Sequence, residues 1–207
     1  MAKGSEELVN SRKDEIINAC EELYKTMSFK EITIKHIGNI TSFTRTSIYN
    51  YFQTKEEIFL ALFKREYELW NITLNEILDE KDYMTSDEFA DAIAHSLEKR
   101  QQLLKIMSMN LYDIESNSRF EHLRDFKLTY GKCINTVIAC LEKYFPDMSF
   151  DEIQCFIYSF FPFMFGIYPY TYVNGKQRAA MNEANVKYEI KTIYDITYNC
   201  VKKLLAK

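Results

Sequence analysis

Residues 33–58 read "TIKHIGNITSFTRTSIYNYFQTKEEI". Thr33 stands where an N-cap is needed for a short helix over 33–40, whose inward residues are expected to be Ile34, Ile37 and Ile40. The three residues "TSF" make a tight connection. Thr44 is placed to cap a third helix over 44–52. Thr54, with Glu57 three residues on, forms a capping box that opens a fourth helix. Two short helices joined by three residues, behind a supporting helix, make a helix-turn-helix pattern. Within 44–52, Ile48 and Phe52 are one turn apart and point inward. Arg45, Thr46, Tyr49 and Asn50 fall elsewhere on the helix and are left for the surface.

The supporting helix lies upstream. Ile16, Cys20, Leu23, Tyr24 and Met27 follow the spacing of one apolar stripe, which predicts a helix over 8–27. Downstream, the fourth helix is expected to run to about Leu78. Further helices are expected from a cap at Ser86 to about Leu97, over 100–114, and over 118–144. Ser149 and Glu152 form another capping box and open a helix over 150–172. "VNGKQRAAMNEAN" is expected to be a loop with at most a helical turn, followed by a last helix over 183–205. The scarcity of glycine (5) and proline (3) in 207 residues also favours an all-α chain.

The charge balance is −4 overall, yet uneven. Residues 1–55 hold 8 Lys and Arg against 7 Asp and Glu, and the remainder holds 18 against 23. An acidic total therefore does not exclude nucleic acid, because phosphate contact depends on the local patch. The N-terminal residues carry no apolar run of the kind a secretion signal needs, and the five cysteines contain no CxxC pair. A cytoplasmic protein with reduced thiols is expected. The apolar stretch 156–173 contains Pro162 and Pro169, which argues against a membrane span. The three histidines are scattered, and no nucleophile–base pair, phosphate loop or metal-ligand spacing occurs, so no metal, cofactor or enzymatic role is expected.

The segment 33–58 resembles the signature of the TetR/AcrR family of transcriptional regulators. Thr33, Ile37, Thr44, Ser47, Ile48, Tyr49, Tyr51, Phe52, Lys55, Glu56 and Ile58 stand at the places of that signature. The departures fall at two places. Gly38 replaces the usual alanine, and Thr41-Ser42-Phe43 replaces the usual Ala-Gly-Val of the turn. Glycine in that turn would ease a positive φ, which Ser42 has to tolerate or avoid. The resemblance implies an N-terminal three-helix DNA-binding domain over 1–54 and a connecting helix over 55–79. It implies an all-helical ligand-binding and dimerisation domain over 80–207, with the last two helices forming the homodimer interface.

The candidate DNA-binding residues are Thr33, Thr44, Arg45, Thr46, Tyr49, Asn50, Tyr51 and Lys55. Arg45 is the one residue of its helix suited to bidentate contact with guanine. Thr46 suits a thymine methyl or a phosphate. Asn50 either pairs with adenine or is simply exposed. Tyr49 and Tyr51 offer hydroxyls to phosphate while their rings pack, and for Tyr51 plain packing is an equal reading. The resemblance supports Thr33 and Lys55, at the starts of the second and fourth helices, as phosphate contacts.

For an apolar or aromatic small-molecule effector the candidates are Tyr112, Phe126, Tyr130, Tyr158, Phe161 and Phe165, and the aromatic run over 155–172 reads equally as core plus dimer interface. In the last helix, Val186, Ile190, Ile193, Tyr194, Thr197, Val201 and Leu204 make a stripe wide enough for a dimer interface. Together these point to a ligand-responsive regulator, a repressor that binds a palindromic double-stranded DNA operator as a dimer. The rival reading is an all-helical binding or scaffold protein without specific DNA binding.

Overall fold

The computed structural model describes residues 3–187 and 189–206, with side chains from residue 6 onward. Among these residues there are helices and connections and no strand. The chain divides into two units by its internal contacts. One comprises Met1–Arg65 with Met109–Thr129, and the other Glu66–Ser108 with Tyr130–Lys207.

The first unit begins with α1 (Lys3–Thr26), α2 (Ile34–Gly38) and α3 (Arg45–Ile48). It also holds the first part of α4 (Lys55–Glu80), then α7 (Leu111–Ser116), and the first part of α8 (Phe120–Tyr144). Ile16, Cys20 and Tyr24 of α1, Ile37, Ile48 and Phe52, and Ile58, Phe59 and Phe63 of α4 are all buried and form its core. Tyr24 and Phe29 both meet Phe59 edge-on, at 5.1 and 4.8 Å between centroids. Phe63 stacks on Phe126 of α8 at 4.8 Å. Burying each such side chain is worth about 1.5–3 kcal/mol. The inward residues of α2 differ from expectation at two positions, and Ile34 is only partly buried. Ile37 is buried, but Ile40 is half exposed, because α2 stops at Gly38 and the chain has already turned.

In the second unit, α5 (Ser86–Glu98) starts one residue earlier in its capping than expected. Thr85 is the N-cap, and Glu88 completes the box. The single helix expected over 100–114 is two helices, α6 (Gln101–Met107) and α7, separated at Ser108–Asn110. The Ser149–Glu152 box opens α9 (Phe150–Thr171) as expected. α9 continues through Pro162 and Pro169, which leaves the carbonyls of Tyr158 and Phe165 without their helical donors. The expected loop after it contains a helix, α10 (Gly175–Glu183), opened by an Asn174–Gln177 box.

The last helix, α11, spans only Ile193–Leu205. Val186 and Ile190 therefore lie outside it, with Val186 about half exposed. Ile193, Thr197 and Val201 are buried, and α11 packs on α5 and α9 of its own chain. The Tyr194 hydroxyl donates to Asp91 at 2.6 Å and that of Tyr198 to Asp87 at 3.1 Å, both on α5. The stripe expected to form an interface is thus largely spent inside the chain.

Where α4 ends, its free carbonyls are met from α8. The Tyr144 hydroxyl donates to Ile77 at 2.6 Å and Lys143 Nζ to Leu78 at 2.8 Å. Cys20, Cys133 and Cys140 are buried, and burial pushes the thiols of Cys20 and Cys133 up to about 12, so they pack as small apolar groups. Among the described residues, no helix is long and apolar enough to cross a membrane.

Candidate nucleic-acid interface

α2 and α3 lie close together because Gly38 has no side chain. A Cβ there would stand 3.3 Å from the Cα and Cβ of Arg45. An alanine at this position would force α3 outward by a few tenths of an ångström, so the glycine sets how closely the two helices pack. Of the described residues, only Asn185 among the non-glycines has a positive φ, so Ser42 avoids that conformation.

What holds the turn instead is Glu15 of α1. The Ser42 amide donates to one carboxylate oxygen, and the Ser42 hydroxyl donates to the other at 3.1 Å. The Thr41 hydroxyl bonds the carbonyls of Gly38 and Phe43. These bonds hold the turn with Ser42 in a backbone conformation that needs no glycine. Replacing Glu15 by alanine should therefore cost about 1–2 kcal/mol, the range for a charge-assisted hydrogen bond at a partly exposed site. Urea unfolding followed by circular dichroism measures it, and a loss below a few tenths would deny the brace its role.

α3 is shorter than the expected 44–52. The α-helical part ends at Ile48, and Tyr49–Tyr51 close in tighter turns, with Asn50 N donating to Ser47 O and Tyr51 N to Ile48 O. Thr44 occupies the N-cap position but makes no side-chain bond to the backbone; its hydroxyl meets Ser47 Oγ at 3.1 Å. Ile48 and Phe52 are buried, as the spacing predicts, while Thr44, Arg45, Thr46, Tyr49 and Asn50 are exposed. The Arg45 guanidinium lies over the Tyr49 ring at 5.9 Å and donates to its hydroxyl at 3.1 Å. Thr33, Lys35, Arg45, Tyr49 and Lys55 line one open surface cleft. The structure thus brings four of the candidate DNA contacts to one place.

Three candidates carry internal partners as well. The Thr33 oxygen accepts from His36 N at 3.2 Å, which leaves its proton free to donate. Lys55 Nζ donates to the carbonyls of Phe29 at 2.8 Å and Ile32 at 3.3 Å, and sits 4.1 Å above the Phe29 ring. Its charge is anchored beside Thr33 instead of extended into solvent. Tyr51 is half-buried and tilts against Phe43, and Arg12 of α1 lies over the same Phe43 ring at 5.5 Å. Packing is the main role the structure shows for Tyr51. Arg12 and Glu15 are two residues that sequence reasoning missed. Both lie on α1 off its apolar stripe, where nothing local distinguishes them from solvated charges.

The junction between α3 and α4 is built around Glu57, which is fully buried. Glu57 N donates to the Thr54 hydroxyl oxygen at 3.1 Å, as a capping box requires. The reciprocal arm goes one residue further back, to Gln53 N at 2.7 Å. Its carboxylate also takes Arg119 Nε at 2.6 Å and a second Arg119 nitrogen at 2.9 Å. Burial works to raise the Glu57 pKa, but the bonds from Arg119 and from the Gln53 and Arg119 amides outweigh it, and the carboxyl is held below its ordinary 4.5.

His122 receives an Arg119 nitrogen at 2.9 Å on Nε2, an arrangement that suits a neutral ring protonated on Nδ1. Burial lowers its pKa below 6.5, Glu57 opposes this, and Arg119 adds to it. The two shifts act on stability with one sign. The unfolded chain takes up the histidine proton first as pH falls through 6.5, so stability is lost on acidification; the Glu57 contribution, present above 4.5, is lost as pH falls further. The melting temperature should fall between about pH 7.5 and 5.5. His122→Asn should shrink that fall, and an unchanged fall would show that His122 does not cause it.

The effector candidates fall in both units. In the first unit, Tyr112 is 81% exposed and Phe126 is buried. In the second, Tyr158 is 76% exposed, Phe161 is buried, and Tyr130 and Phe165 are half-buried. Tyr112 and Tyr158 therefore project into solvent and line no closed cavity. Tyr130 and Phe161 do meet, edge-on at 5.7 Å, in a cluster that includes Tyr67 and Trp70. Trp70 is fully buried, and its indole donates to Ser96 Oγ at 3.0 Å.

The family model described as "Tetracyclin repressor-like, C-terminal domain" matches residues 64–189. The chain belongs to the TetR family of transcriptional regulators. The match starts inside α4, so the helix-turn-helix segment lies outside it. Solved structures of transcriptional regulators share the fold over nearly the whole chain. The fatty acid degradation regulator FadR from Bacillus halodurans is 14% identical, covers 94% of this chain and 94% of its own, and has a TM-score of 0.58.

FadR from Bacillus subtilis, solved in complex with stearoyl-CoA, is 17% identical, covers 93% and 97%, and has a TM-score of 0.59. A putative TetR-family regulator from Mesorhizobium loti MAFF303099 is 12% identical, covers 95% and 96%, and also has a TM-score of 0.59. At such identities the likeness concerns fold alone. No curated protein matches this TetR-family chain in sequence.

Proposed function

We propose that the protein is a ligand-responsive repressor that binds a palindromic operator as a homodimer in the cytoplasm, with no enzymatic activity of its own. The observation that carries this reading is the division of residues 44–52 into a buried side, Ile48 and Phe52, and an exposed side, Arg45, Thr46, Tyr49 and Asn50. A DNA-reading helix needs one face packed and one free. Thr33 and Lys55, beside that face, are the proposed phosphate contacts.

The dimer is proposed to form through α9 and α11, as the family resemblance implies, but with residues that share only Leu204 with the stripe read in the sequence. On α9, Cys155, Tyr158, Ser159 and Pro162 recur on one exposed face. On α11, Ile196, Cys200 and Leu204 remain half exposed after Ile193, Thr197 and Val201 are buried. The effector is proposed to bind in the second unit, whose interior is rich in aromatic rings. A long-chain acyl thioester is the first class to test, since FadR from Bacillus subtilis was solved with stearoyl-CoA.

Selection of duplexes from a random-sequence pool tests the reading. The enriched duplexes should contain an inverted repeat with half-sites about 34–36 Å, or a multiple of it, from centre to centre. Enrichment of no sequence would refute it.

A further inference from the structure

Arg119 lies three residues beyond the end of α7 and immediately before α8, in a stretch that the sequence places far from the DNA-reading helix. In space it belongs to the same unit. Its Nε and one terminal nitrogen clasp both oxygens of buried Glu57, and its own amide reaches Glu57 Oε1 at 3.1 Å. The same terminal nitrogen also donates to the carbonyl of Tyr51 at 3.1 Å. Next to it, the Thr54 hydroxyl donates to the carbonyl of Asn117 at 3.0 Å, and the His122 ring lies 5.6 Å from that of Phe52.

These bonds bracket one short piece of backbone. Tyr51 ends the turn that carries Tyr49 and Asn50, and Gln53 and Thr54 lead into α4. Without Arg119 the Glu57 carboxylate is buried with only backbone partners and His122 beside it. The junction would then relax to hydrate it. A bidentate guanidinium fixes angle as well as distance, which a single point charge cannot do.

We propose that Arg119 is a positioning residue for DNA recognition. It pins the end of the recognition helix and the start of α4 to α8, and so sets the angle at which Arg45 and its neighbours are presented. It touches no DNA itself. This rests on the DNA-binding reading above. It adds that a residue outside the helix-turn-helix segment decides the geometry of that segment.

The test compares wild type with Arg119→Gln, Arg119→Lys and the neutral pair Glu57→Gln/Arg119→Gln, with Arg124→Gln as the control for loss of a charge on α8. Hydrogen exchange in the absence of DNA gives the first readout. Amides of residues 49–55 should exchange at least about tenfold faster in Arg119→Gln, with α9 unchanged. The lysine variant should fall between, and the double variant keeps the comparison available if the single variant fails to fold. The second readout is affinity for the duplex that wild type selects. It should fall about tenfold or more in Arg119→Gln, while affinity for a scrambled duplex and the salt slope stay as in wild type.

Unchanged exchange at 49–55 would overturn the proposal. So would unchanged affinity for the selected duplex, or an equal loss on both duplexes with a reduced slope, which would mark a phosphate contact instead. If wild type selects no duplex, the DNA reading fails, and the exchange result still judges the pin by itself.

Discussion

Replacing Trp70 by alanine lowers the stability of the second unit by about 3–5 kcal/mol, the usual cost of deleting a large aromatic ring from a closed core. Trp70 is fully buried among Tyr67 and Phe161, with ring centroids 6.2 and 6.1 Å away. Its indole N–H is matched by Ser96 Oγ, which in turn donates to Ile93 O at 2.7 Å. The alanine variant loses the packing and the hydrogen bond together. Trp70→Phe keeps most of the volume, so the smaller share due to lost polar contact and shape should show separately, at about 1–2 kcal/mol. Since this is the sole tryptophan of the chain, unfolding has to be followed by circular dichroism. A loss below about 1 kcal/mol for the alanine variant would mean that the core closes over the gap.

The second large effect concerns function. Arg45→Ala should weaken binding to the preferred operator by about 1–3 kcal/mol, the worth of one bidentate base contact. The loss should be confined to the preferred sequence and should relax specificity at one position of each half-site. Arg45 is exposed and already ordered, stacked over Tyr49 and bonded to its hydroxyl. A preordered guanidinium loses less entropy on meeting a guanine than a free one. Tyr49→Phe should therefore weaken binding slightly, by removing the hydroxyl that holds the arginine. If Arg45→Ala binds the preferred and scrambled duplexes as wild type does, the base-contact role is wrong. Anisotropy titration of both duplexes decides it.

Much of this was legible in the sequence where the signal is local. The Ser149–Glu152 box marks the start of α9 because both partners lie within four residues. The inward pair Ile48 and Phe52 follows from helical spacing alone. Where the signal is not local, the sequence misled. Ser108–Asn110 separates α6 from α7 without a glycine or proline to mark the break. Val186 and Ile190 extend the apolar period of α11 backward past its true cap at Thr192, so the helix read ten residues too long. A stripe also does not say what covers it. Ile193, Thr197 and Val201 looked like a surface for a partner, and α5 covers much of that side within the chain.

The site shows the same division. Arg45, Thr46, Tyr49 and Asn50 could be placed on the open face of a short helix from their positions. Glu15 and Arg119 could not be found, because each acts across the fold, 27 and 62 residues from its partner. No spacing rule relates a turn serine to a glutamate on α1, or a capping glutamate to an arginine before α8. Glu57 itself was read as a cap. Its complete burial, which turns a routine cap into a structural centre, depends on tertiary packing.

The most direct measurement is the anisotropy of a labelled duplex from the DNA upstream of the gene, titrated with wild-type protein beside a scrambled duplex, at two salt concentrations. The account predicts tighter binding to the upstream duplex by at least about 10³-fold, with affinity for both duplexes falling steeply as salt rises. Equal affinity for the two duplexes, or no binding at the lower salt, would contradict it.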